Sequence, residues 1–86
     1  MKNSFPIFRK YSNNKSYFKI VSENHFVELK IMGNYFSVYE IKASILPERV
    51  FIQDMLEMQG EHWVSSDEHE FQQQWDRCHS ELKLLP

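Results

Sequence analysis

The sequence predicts an α+β fold: a four-stranded antiparallel meander followed by two helices, in the order ββββα, short extended segment, α, with both helices packed on one sheet face. Three observations carry this reading. Apolar residues recur with period two through residue 45, turn residues punctuate that stretch at regular intervals, and from Pro47 onward the period becomes helical. The 86 residues, 42% hydrophobic and 26% charged, supply one core, so residues 1–86 read as a single domain.

The strands are expected at 7–12, 16–22, 25–32 and 35–45. Gly33-Asn34 separates the last two and can supply the positive φ angles of a two-residue hairpin. Ser22-Glu23-Asn24-His25 and Asn13-Asn14-Lys15 are weaker turn signals, because they rely on asparagine to enter the left-handed region. A Glu23-Asn24 turn pairs Ile20 with Val27 and Phe18 with Leu29 on one face, and Lys19 with Glu28 and Tyr17 with Lys30 on the other. The Gly33-Asn34 turn pairs Ile31 with Phe36 and Leu29 with Val38. Continued, that register sets Glu40 opposite Val27, so a bulge near Tyr39-Glu40 is expected to return Ile41, Ala43 and Ile45 to the core.

The first helix is expected at 47–59, with Pro47 in the first turn, Glu48 favoured by the helix dipole and Gly60 at the end. Glu61-His62-Trp63-Val64 reads as extended. Ser65-Ser66-Asp67-Glu68 reads as a capping box with Ser65 as the cap, opening a second helix over 66–82. Its Phe71, Trp75, Cys78 and Leu82 recur at spacings of four, three and four, a narrow stripe to set against the sheet. The expected core joins Phe18, Ile20, Val27, Leu29, Ile31, Phe36, Val38, Ile41 and Ile45 to Phe51, Met55, Phe71 and Trp75.

A net charge of −2 hides a split. Residues 1–46 hold seven Lys/Arg against three Asp/Glu, and residues 47–86 hold three against nine, so the meander is basic and the helices are acidic. The one cysteine, Cys78, cannot form an internal disulfide, no apolar run approaches the roughly 20 residues that span a bilayer, and the N-terminal residues lack a signal-peptide core. These features point to a cytoplasmic protein without a membrane partner.

Chemistry-bearing patterns are sparse. His62, His69, Cys78 and His79 lack the paired short spacing of a zinc site, and the two adjacent residues point about 100° apart on a helix. The two glycines are spent on a turn and a helix end, which leaves no glycine-rich phosphate loop. No catalytic residue, metal site or cofactor is called for, and an enzyme is not expected. The one constellation with functional colour is the basic, aromatic meander. There Tyr17, Lys19, Lys30 and Lys42 would stand on an open outer face of the kind that single-strand nucleic-acid binders use.

The segment Phe8-Arg9-Lys10-Tyr11-Ser12-Asn13-Asn14-Lys15-Ser16-Tyr17-Phe18-Lys19-Ile20, followed by Ile45-Leu46-Pro47-Glu48-Arg49 and Ile52-Gln53-Asp54-Met55, resembles a family of small uncharacterised bacterial proteins. The resemblance spans nearly the whole chain. It implies a bacterial, stand-alone domain and brings no residue roles with it.

Taken together, the sequence points to a small non-catalytic interaction or accessory domain. Its expected partner is another protein or a second copy. The alternative is a weak single-stranded nucleic-acid binder acting through Tyr17, Lys19, Lys30 and Lys42, and the near-neutral charge balance argues against that alternative.

Overall fold

The computed structural model describes residues 4–84. Strands β1 (Ile7–Tyr11), β2 (Ser16–Ser22), β3 (His25–Met32) and β4 (Tyr35–Lys42) form the antiparallel meander, followed by α1 (Leu46–Glu57), β5 (Trp63–Ser65), α2 (Glu68–Glu81) and β6 (Lys83–Leu84). The short β5 and β6 extend the sheet on both sides, in the order β5-β1-β2-β3-β4-β6, and β6 runs parallel to β4.

The two helices do not share a sheet face. Strand partners in register lie on one face, so parity assigns each residue. Phe18, Ile20 and Phe26 pack with Ile52 and Met55 of α1, whereas Phe8, Tyr17, Leu29 and Phe36 pack with Phe71 and Cys78 of α2. The sheet is therefore the middle of three layers, and adjacent residues of β2, Tyr17 and Phe18, are both buried, on opposite sides. This corrects the expectation of an open outer face.

The physical cause is the register of β2 on β3. Tyr17 lies opposite Leu29, Phe18 opposite Glu28 and Ile20 opposite Phe26, with an irregularity between Ile20 and Ser22. That extra residue, at exposed Val21, slips the strands by one from the expected pairing and sends Phe18 and Ile20 to the face opposite Val27 and Leu29. Two apolar sets on alternate parities then need two helical covers. The bulge expected near Tyr39-Glu40 is absent, since β3 and β4 pair without a break from His25 and Lys42 to Met32 and Tyr35. Glu40 stays opposite Val27 at an exposed position, where one carboxylate oxygen meets His25 Nε2 at 2.7 Å. Ile45, expected in the core, is exposed.

Helix ends also differ from the sequence pattern. α1 stops at Glu57, and the left-handed C-cap residue is Met58 (φ 54°), not Gly60. With no basic residue in its last turn, α1 receives its cation from the sheet: Arg9 Nε donates to the Met55 carbonyl at 2.9 Å. The cap of α2 is Asp67, whose side chain accepts from the Glu70 amide at 2.7 Å, two residues later than expected. Glu70 joins the acidic helix to the basic meander through Lys10 Nζ at 2.8 Å. Hydrogen bonds from Lys10 and then Ser66 hold the Glu70 carboxyl below its ordinary value. A lowered carboxyl pKa stabilises the fold above the unfolded value, and this contribution is lost as pH falls through the folded one.

Candidate interaction surface

The outer edge of β4 is only partly covered. β6 covers only its beginning, at Tyr35 and Phe36, where Lys83 N–H donates to the Asn34 carbonyl at 3.0 Å. The Ala43 amide donates to Asn24 O at 2.6 Å. With the unbroken β3–β4 register, this turns the backbone groups of Ser37, Tyr39 and Ile41 toward β3 and those of Val38, Glu40 and Lys42 outward. Among the described residues no strand pairs with the outward side of these three. An unpaired row of this kind is a template for another extended chain.

Exposed apolar residues lie on β4 and just after it in the chain. Tyr39 (44% exposed) leads through the β4–α1 connection to Ile45 (57%), Leu46 (72%) and Val50 (48%). Between α1 and the sheet, Phe26, Glu28, Ile41, Pro47, Glu48 and Phe51 line a groove of about 230 Å³. Glu48 is used locally, accepting from the Ser44 amide at 3.0 Å. Glu28, half-buried, accepts from Ser16 Oγ at 3.1 Å, and burial pushes its carboxyl above the ordinary value against the pull of that hydrogen bond and of Lys30. A raised carboxyl pKa gives stability that is complete below the unfolded value and is lost as pH rises through the folded one. Glu28→Gln, which can keep the Ser16 hydrogen bond, is therefore expected to melt higher than wild type near pH 7, with the difference closing toward about pH 4. Thermal melts across that range check it. An equal or larger difference at low pH would contradict the assignment.

The sequence-derived site residues are not brought together. Tyr17 is buried beneath α2, and burial raises its phenol pKa. Lys19 is half-buried on the same face, at a shallow depression lined also by Val27, Phe71, Gln72 and Trp75. Lys42 is exposed at the far end of β4, opposite His25. Lys30 is exposed on the other face, in register with Ser16 and Ser37.

Chemistry elsewhere is equally undirected. Cys78 is buried against the sheet and burial raises its thiol pKa, which disfavours the reactive thiolate. Among the described residues no three His, Cys, Asp or Glu side chains converge as metal ligands. No described helix is long and apolar enough to cross a membrane.

Sequence reasoning singled out neither β4 as the open edge nor the exposed apolar residues that follow it. Their signals were Val38, Glu40 and Lys42 on alternate positions of the last meander strand, and the pair Ile45-Leu46 before Pro47. The chain matches no protein-family profile, and neither a curated protein nor a solved structure is significantly similar to it.

Proposed function

We propose that the protein is a non-catalytic interaction module that takes up a polypeptide by strand addition along β4. The observation that carries this reading is the row of outward backbone groups at Val38, Glu40 and Lys42, on a strand that also exposes Tyr39 and is followed in the chain by exposed Ile45 and Leu46. Main-chain hydrogen bonds to an added strand supply affinity, and flanking apolar side chains supply selectivity. The nucleic-acid alternative has no shared platform, because Tyr17 lies under α2 and Lys30 faces away from Lys19 and Lys42.

The test is site-specific photo-crosslinking in the producing cell. A photoreactive residue in place of Tyr39 is expected to give one discrete polypeptide adduct, and the same residue in place of exposed Gln73 on α2 is expected to give none. Glu40→Pro removes an outward amide and leaves the β3–β4 ladder intact, as proline on an edge strand can. It is expected to abolish the adduct. Equal capture at both positions, or capture indifferent to Glu40→Pro, would contradict the reading.

A further inference from the structure

We infer that the partner of the β4 edge is a second copy of the same chain, paired antiparallel about a two-fold axis at Ile41. The inference rests on the strand-addition reading and names its occupant. An antiparallel edge must match outward-facing residues with outward-facing residues, here Phe36, Val38, Glu40 and Lys42. Phe36 is already taken by Leu84 of β6, which rules out the registers centred on Val38 and Tyr39, both of which use Phe36. Centring on Glu40 or on Lys42 sets that residue against its own copy, a like-charge pair that opposes association.

Centring on Ile41 leaves β6 untouched and sets Glu40 of each copy opposite Lys42 of the other. The symmetric edge then carries two cross-strand ion pairs on the α2 face. Glu40 meets its internal partner, His25, through only one oxygen, and Lys42 is exposed with no carboxylate in contact among the described residues. On the other face the same axis brings Ile41 against Ile41, flanked by Tyr39. Edge and charge thus agree on one isologous arrangement.

Charge reversal tests it on the full chain. Wild type is expected to show a monomer–dimer equilibrium in sedimentation velocity. Glu40→Lys and Lys42→Glu, each read alone, are expected to weaken dimerisation at least about tenfold, because each turns two attractive pairs into two repulsive ones. Mixed in equal amounts, the two variants are expected to form a mixed dimer of wild-type strength, since one copy then carries two lysines at positions 40 and 42 and the other two glutamates. Circular dichroism confirms that both remain folded. A wild type that stays monomeric at millimolar concentration, single variants that dimerise as wild type does, or a mixture no tighter than its components each overturns the inference. The first result leaves strand addition standing if the Tyr39 adduct contains another polypeptide, whereas absence of any adduct defeats both.

Discussion

Replacing Phe18 by alanine is expected to remove about 3–5 kcal/mol of stability, the usual cost of emptying a fully buried aromatic site. Phe18 has no exposed surface, and its ring lies 5.2 Å from Tyr11, 5.3 Å from Trp63, 6.0 Å from Phe51 and 6.1 Å from Phe26 by centroid. It is the hub at which β1, β2, β3, β5 and α1 meet. A domain of this length holds roughly 4–13 kcal/mol in total, so the loss is a large share of what there is. Rings held on three other strands and a helix cannot all collapse into the space, which puts the expected value in the upper part of the range. Urea unfolding of the variant measures it, and a loss below about 1 kcal/mol would contradict the core as described.

The neighbouring substitution discriminates between the two possible layer arrangements. Tyr17→Ala is expected to cost about 3 kcal/mol, because Tyr17 lies under α2 with Phe8, Leu29, Phe36, Phe71 and Cys78. If both helices covered the Phe18 face, Tyr17 would stand in solvent and its truncation would change stability by about 0.5 kcal/mol or less. The pair of variants therefore reads the three-layer order without imaging it. Two large losses at consecutive residues of one strand require cover on both sides, and one large with one negligible loss would restore the two-layer arrangement.

Much of the fold was legible in the sequence, and the misreading with the largest consequence came from one residue. The bounds of β2 and β3, the Gly33-Asn34 hairpin and the pairing of Ile31 with Phe36 and Leu29 with Val38 follow from period-two patterning and one glycine turn. The slip at Val21 does not, because a bulge leaves no fixed residue signature and both candidate registers of β2 place apolar residues opposite one another. Since side chains alternate faces, that one residue decided which helix covers which set, and with it whether Tyr17 is exposed. β6 is two residues long and pairs in parallel with a strand distant in sequence, too little for periodicity to register. The edge surface was hidden for the same reason: an open edge is visible only once the neighbours of β4 are known.

The charge split has a double resolution. Lys10 is held by Glu70 and Arg9 by the last carbonyls of α1, so two basic residues of the meander serve to fasten a helix to each face. Lys42 and Glu40 remain at the rim, where opposite signs two residues apart are what an antiparallel edge needs to recognise itself.

The most direct measurement of the pairing is residue-resolved amide hydrogen exchange in dilute and concentrated solution. The amides of Glu40 and Lys42 are expected to exchange freely when the protein is dilute and to become protected as concentration rises, while those of Tyr39 and Ile41, which face β3, are protected throughout. Outward amides whose exchange is indifferent to concentration would contradict self-pairing along β4.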